Sequence, residues 1–560
     1  LFDAAQSRAK PSPAAAESLL LAAVALAPAA FSLDLVSFLH AKESLILGLL
    51  ALAAGWCLLR RGAPSLAEHA RWWWPVWMLL GYGLLCGGFS PDGLATAAMW
   101  AGILLWAWLA APALAAPAAR YRLLWAILAG AGITALAAVL EAAGWMRVLG
   151  LPPREPLTSL FGNRDLLGGY LALALAASLG LRGTCRRANH VLLPVLFVLS
   201  FALVISGSRS AWLAAAAGLA ITAFWRTPQI GRRAWALYAM IAAGAITALL
   251  TQPQPAVERI GATFSYTDTG GWVRVWLWDA SLRMLADHGS LGLGLGRFPA
   301  ESSAYMADAL HGTGGTRYPA NGLPGEHAHN DALELLCETG LPGGVLACVF
   351  LWILWRRRTA ETAAPLAALA VFSGFNAALF SAPHALAGVL LAQAAFSARA
   401  SDPPVPARGS AAMLALAALA LWPAHLGYVL LPSSQLAAAE SAHLRGDSAE
   451  EAYERAARWP YTRPAALGFA AMHAYDHGND ALAAERAGQS VAMKGWPQVL
   501  AVRALALARL QDPAATGALD EALRQWPVNQ QVFDAAWNLA DETRRVELTE
   551  HAARWGLTPP

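Results

Sequence analysis

Thirteen apolar stretches, most of them 16 to 25 residues long and separated by short polar connections, leave this chain few ways to fold. A hydrocarbon layer about 30 Å thick is crossed by roughly 20 apolar residues in a helix. Inside it every backbone N–H and C=O must bond within the protein, so each crossing is a helix or a strand of a closed barrel. Runs of this length are helical. The expected spans are 17–33, 44–59, 73–89, 94–115, 121–145, 165–181, 190–206, 209–225, 234–250, 331–355, 364–380, 383–398 and 411–431. Composition agrees: the 560 residues are 57% hydrophobic and 14% charged, with 24 tryptophans and a mean hydropathy of +0.43, outside the range of soluble domains. The fold class is therefore an all-α polytopic membrane protein with about 13 transmembrane helices. The first run, with a basic flank and "APAAFS", has the look of a signal peptide. We read it as a span, and cleavage there would not alter the remaining topology.

Orientation follows from the basic residues, because Lys and Arg are retained on the cytoplasmic side. With the N-terminus in the cytoplasm, eighteen of them fall on that side, from Arg8 and Lys10 through Arg60, Arg61 and Arg356–Arg358 to Arg408. The opposite short loops keep five: Lys42, Arg147, Arg154, Arg164 and Arg209. Segments 251–330 and 432–560 then both lie outside the cytoplasm. The net charge of +3 is dispersed over short loops, which excludes a nucleic-acid surface. The five cysteines lie in or beside apolar runs without metal-ligand spacing and read as packing residues.

Beyond Pro432 the pattern becomes soluble and helical. "ARWP" at 457–460, "KGWP" at 494–497 and "RQWP" at 524–527 recur 37 and 30 residues apart, near the repeat length of tetratricopeptide-like helix pairs. The Trp is expected to close one helix pair on the next and the Pro to stop the helix. The expected division is a transmembrane domain over 1–431, containing a loop domain at 251–330, and a helical-repeat domain over 432–560.

Three features carry chemistry. In "SGSRSAW", Arg209 lies at the outer mouth between two spans, where a guanidinium must reach water or a partner. "GGWVRVWLWDASLRMLADHGSLGLGLGRF" reads as an amphipathic helix that places Arg274 on one face with Trp278 and Ser281, followed by a glycine-rich turn. "GLGLG" lacks the preceding strand that a dinucleotide site requires. In "GEHAHNDALELLCETGLPGG", Asn330 and Asp331 start the tenth span and hold His327 and His329 at its N-terminal rim. Imidazoles there can exchange protons near neutral pH. Two histidines at i, i+2 without a third ligand make a poor metal site.

The order of "FGNRDLLGGYLALAL", "SGSRSAWLA", "WVRVWLWDASLRMLADHGSLGLGLGRF" and "HAHNDALELLCETGLPGG" resembles the O-antigen ligase family, which includes protein O-oligosaccharyltransferases and O-antigen polymerases. The resemblance covers about residues 155–400 and is most specific at the His-x-His-Asn element. It implies a membrane-embedded glycosyltransferase fold of the C type, without cofactor or metal. It also implies transfer of a glycan from an undecaprenyl-diphosphate carrier to an acceptor hydroxyl at the periplasmic face of the bacterial inner membrane. The acceptor would be lipid A-core or a protein. By this resemblance Arg209 and Arg274 hold the diphosphate, and His329 handles the acceptor proton with His327 as its substitute. Asn330, Asn163, Arg164 and Asp165 are secondary candidates, the last three because the family more often has an Asn-x-Asn-like step where "NRD" stands.

A polymerase joining lipid-linked repeat units, or an exopolysaccharide enzyme, would share these motifs. A transporter would show an inverted repeat and mid-bilayer charges, and a scaffold built on the repeat tail would have no use for Arg209, Arg274 and His329 together.

Overall fold

The computed structural model describes residues 14–59, 64, 66–145, 158–181, 186–225, 232–252, 254–262, 269–312, 318, 322, 325–398 and 410–560. Arg8, Lys10, Arg60, Arg61, Arg147, Arg154, Arg182, Arg226, Arg399, Arg408 and Cys185 lie outside the described residues.

The described residues are helical, without strands. The first nine helices are α1 (Ala14–Leu26), α2 (Phe38–Leu59), α3 (Leu66–Cys86), α4 (Pro91–Leu114), α5 (Pro117–Ala142), α6 (Arg164–Ser178), α7 (Arg186–Ile205), α8 (Arg209–Trp225) and α9 (Arg232–Thr251). The loop segment adds α10 (Gln254–Ala262), α11 (Thr269–His288) and α12 (Phe298–Gly312). Then come α13 (Asp331–Arg357), α14 (Ala363–Ser373), α15 (Ala382–Ser397) and α16 (Ser410–His425). Each of the thirteen expected spans falls on a helix, and six helices among the described residues are long and apolar enough to cross a membrane.

The core forms around α6 and α15. Every residue of α15 is buried, and α6 is buried from Leu167 to Ser178. Its composition, "LLGGYLALALAAS", explains this, since small side chains let neighbouring helices approach closely. A Cβ on Gly169 would lie 2.2 Å from the Phe372 ring of α14, and one on Gly168 would lie 2.8 Å from Ala211 of α8.

Several expectations are corrected. Lys42 was expected in an outer loop; it lies inside α2 and is fully buried, where its ammonium donates hydrogen bonds to three backbone carbonyls. The run 364–380 is helical only to Ser373, where the chain turns at Gly374 and leaves Asn376 in a non-helical linker leading to α15. At "SGS" the chain is redirected: α7 packs on α9, whereas α8 turns away to pack on α6 and α14.

The glycine-rich turn inserts between two elements. Gly292, Gly294 and Gly296 all have positive φ, and Cβ atoms there would come within 2.4 Å of backbone atoms. Leu293 and Gly294 donate to the carbonyls of Cys337 and Glu338 at 2.9 and 2.7 Å, and Leu295 donates to Gly83 at 2.8 Å. The α13 helix is broken opposite it at Gly340 (φ 58°, ψ −161°). The break frees the Leu341 N–H to reach Gly289 at 2.8 Å.

A π-helical turn at Leu426–Leu430 joins α16 to α17 (Leu431–Leu444), so helix continues through the expected boundary at 431/432. The tail follows as α18 (Glu450–Ala457), α19 (Arg463–Asp476), α20 (Asp480–Val491), α21 (Pro497–Arg509), α22 (Ala515–Gln525), α23 (Gln530–Leu539) and α24 (Glu542–Trp555), each packed on the next. The Trp-Pro steps differ from expectation in one respect. Pro497 opens α21, with Trp496 at its N-cap, instead of stopping a helix. A proline at the first helical position costs nothing because its missing N–H would have no partner there. The tail rests on the loop segment: Arg524 pairs with Asp308 of α12 at 2.7 Å, and His311 of α12 bonds the Arg524 carbonyl at 2.8 Å.

Candidate active site

Three helix N-termini supply the site: α6 at Arg164, α8 at Arg209 and α13 at Asp331. Two begin alike. The Asn163 side chain accepts from the N–H groups of Asp165 and Leu166 at 2.8 and 3.1 Å, and Asn330 accepts from Ala332 and Leu333, both at 3.1 Å. Both asparagines are thus N-caps, each worth about 1 kcal/mol. The exposed N–H groups and aligned dipoles of such ends favour anions.

Arg274, from α11, crosses to this cluster. Its guanidinium meets Asp165 at 3.0 Å and Asn376 at 3.3 Å. Asn376 donates in turn to Ser210 at 2.8 Å, beside Arg209 on α8. Arg209 reaches the Arg259 carbonyl at 3.4 Å. The charges of Arg259, Arg274 and Arg209 all act on Arg164, so four guanidiniums gather at the α6 terminus, where Arg274 and Arg164 both act on the Asp165 carboxylate. Nε of Arg274 is buried without a hydrogen-bond partner.

The two histidines are differently placed. His327 donates from Nδ1 to Glu334 at 2.8 Å, and its ring packs 4.7 Å from Phe380. Burial opposes its charge, but the Glu334 carboxylate, by charge and hydrogen bond, lifts its pKa to about 9. His329 is pushed down to about 4 by burial, then by the Arg274 and His327 charges, against the pull of Asp165. At neutral pH the pair is therefore one imidazolium and one free imidazole. His329 Nδ1 is buried with no hydrogen-bond partner, and the residue sits in the left-handed region at φ 50°. Such a conformation costs a non-glycine residue about 1–2 kcal/mol. It is held between the Ala328 N–H, bonded to Glu334 at 2.9 Å, and the Asn330 cap.

All eight residues singled out from sequence lie at this cluster or on the turns that form it. Sequence reasoning missed Asn376, Glu334 and Arg259. Asn376 left a signal, a lone amide in the apolar run "VFSGFNAALF", and Glu334 follows His327 by seven residues in the motif itself. Arg259 left none.

Residues 194–348 match the family model described as O-antigen ligase. Over that segment the chain is similar to the O-antigen ligases. The match includes Arg209, Arg274, His327 and His329, and leaves out the "NRD" turn and the C-terminal tail. The family points to glycosyl transfer in the membrane, with a lipid-linked glycan and an acceptor as substrates. No curated protein matches the chain.

Proposed function

We propose that this protein transfers a glycan from an undecaprenyl-diphosphate carrier to an acceptor hydroxyl, at the periplasmic face of the inner membrane. The observation that carries the proposal is the placement of a free imidazole, His329, within the electrostatic reach of Arg274 at a cluster of four guanidiniums. Orientation has its own support: Arg356 and Arg357 end α13, at the far end of that broken helix from Asp331. There Arg357 and Arg71 lie over the Trp72 ring at 4.5 and 4.8 Å, an arrangement that suits a cytoplasmic interface.

In the proposed reaction the diphosphate binds Arg274 and Arg209, with Arg164 adding charge at the α6 terminus. Guanidiniums form paired, charge-assisted bonds with phosphate oxygens. The acceptor hydroxyl gives its proton to His329 while its oxygen attacks the anomeric carbon. The bond from that carbon to the diphosphate oxygen breaks, and the carrier diphosphate leaves with the electron pair. One displacement inverts the anomeric centre.

A histidine held near pKa 4 is a weak base, and the donor corrects this. Its diphosphate places negative charge against Arg274, offsetting one of the charges that depress His329, so basicity rises only when the donor is present. His327, already protonated and paired with Glu334, cannot accept a proton at neutral pH, which selects His329 as the base.

The test combines purified protein, an undecaprenyl-diphosphate oligosaccharide with a labelled sugar, and separate acceptors: lipid A-core, a protein and a second lipid-linked unit. Label moving to one acceptor with wild type and not with His329→Ala supports the reading and names the acceptor. Equal labelling by both proteins removes His329 from the mechanism.

A further inference from the structure

The "NRD" turn that presents Arg164 and Asp165 is gripped from beneath by a buried cation. Lys42, on α2, is 0% exposed. An ammonium has three N–H donors, and all three are used: on Pro28 O at 3.0 Å, Ala30 O at 2.5 Å and Leu160 O at 2.9 Å. Its Nζ also lies 5.2 Å from the centre of the Phe161 ring. The three acceptors are carbonyls, so the charge is spent on backbone geometry and not on a carboxylate. A buried ion is tolerated only when its protons are fully matched.

Leu160 stands three residues before Asn163, in a turn that the chain does not adopt freely. Ser159 has φ 53° and Gly162 φ 80°. A Cβ on Gly162 would lie 2.3 Å from the Phe38 ring, so this turn also closes on α2. From the other side Glu141 of α5 accepts the Ser159 N–H at 2.6 Å and the Thr158 N–H at 3.4 Å, and the Ser159 hydroxyl donates to Thr134 O at 2.7 Å. Phe161 is buried against His384 and Tyr170, ring centres 5.4 and 5.7 Å away. Opposite charges, Glu141 on the N–H groups of Thr158 and Ser159 and Lys42 on the carbonyl of Leu160, thus hold neighbouring peptide groups of one short turn. Its next residues are the α6 cap and the carboxylate that fixes Arg274 at 3.0 Å.

We propose that Lys42 and Glu141 form a clamp on residues 158–162 and act as positioning residues, setting the height of Arg164 and Asp165 at the donor subsite. The inference rests on the glycan-transfer reading for its kinetic consequence, while its structural consequence is independent of it. Lys42→Met leaves the three carbonyls without donors. A displacement of about 1 Å at a catalytic constellation costs on the order of a hundredfold in rate, so donor kcat/KM should fall by about that factor.

The experiment measures hydrogen exchange and transfer kinetics on the same preparations of wild type, Lys42→Met and Glu141→Gln. The expected result is faster exchange confined to peptides spanning 158–170, with a raised donor KM and an unchanged acceptor KM. Glu141→Gln should show the same pattern more weakly, and it decides the matter if Lys42→Met does not fold. Unchanged exchange at 158–170 overturns the clamp. Local loosening with unchanged donor KM overturns the positioning role, as does loosening throughout the chain with only kcat reduced. Wild type that transfers no glycan refutes the functional reading instead, and the exchange result still decides whether the clamp exists.

Discussion

Replacing Arg274 by Gln should change two separable quantities. The guanidinium pairs with Asp165 at 3.0 Å and Asn376 at 3.3 Å and is proposed to move onto the donor's diphosphate. A hydrogen bond to a charged group is worth about 1.5–3 kcal/mol net, and 1.4 kcal/mol is tenfold in affinity. Donor affinity should therefore fall roughly ten- to a hundredfold. The second effect has the opposite character. Arg274 stands next after burial among the causes holding His329 near 4 against an ordinary 6.5, so removing it lets His329 recover part of that gap. The acid limb of kcat/KM reports groups in the free enzyme and that of kcat reports groups in the complex. In wild type the kcat limb should lie at higher pH than the kcat/KM limb, because bound diphosphate has already offset Arg274. In Arg274→Gln the kcat/KM limb should move up and the separation should narrow. The assay is initial-rate transfer from labelled lipid-linked oligosaccharide between pH 4 and 8. A kcat/KM limb that stays in place or moves down in the variant refutes the electrostatic coupling.

His329→Ala should reduce transfer by about a hundred- to ten-thousandfold while thermal unfolding in detergent is unchanged. Glu334→Gln removes the charge that raises His327 to about 9; since a raised histidine pKa stabilises fully below about pH 6.5 and the gain is lost as pH rises through about 9, the variant should lose stability at pH 6 to 7 and little above pH 9.5. The measurement is unfolding temperature against pH, and a constant difference across the range would contradict the pairing. Asn163→Ala should cost about 1 kcal/mol through the lost cap, read as a lowered unfolding temperature, with donor KM raised because Arg164 and Asp165 follow the cap directly. Gly294→Ala should express poorly in folded form, since its Cβ would lie 2.0 Å from Gly87 at φ 99°.

The helices were legible because crossing a membrane imposes a length and a composition that neighbours cannot override. Their ends were less legible. Lys42 reads as a loop residue on charge alone, since sequence does not show three carbonyls waiting 12 to 118 residues away. The linker 374–381 reads as part of a span because its apolar residues conceal the one amide that contacts Arg274. Asn330 was legible as a helix start because capping is local chemistry, whereas Asn163, which caps α6 in the same way, was singled out only through the family resemblance. The division of labour between His327 and His329 was not, because it depends on which ring meets Glu334 and which faces Arg274. The Trp-Pro steps were located but misread at Pro497, where the same dipeptide opens a helix.

The central claim is tested most directly by the fate of the anomeric centre in a single turnover. Purified wild-type protein in excess over lipid-linked oligosaccharide, with acceptor present, should release one carrier diphosphate per glycan transferred. Nuclear magnetic resonance of the product should show the new linkage inverted relative to the donor. A retained configuration, or product formed without release of free carrier diphosphate, would contradict direct attack by a His329-activated hydroxyl on a diphosphate-bound sugar.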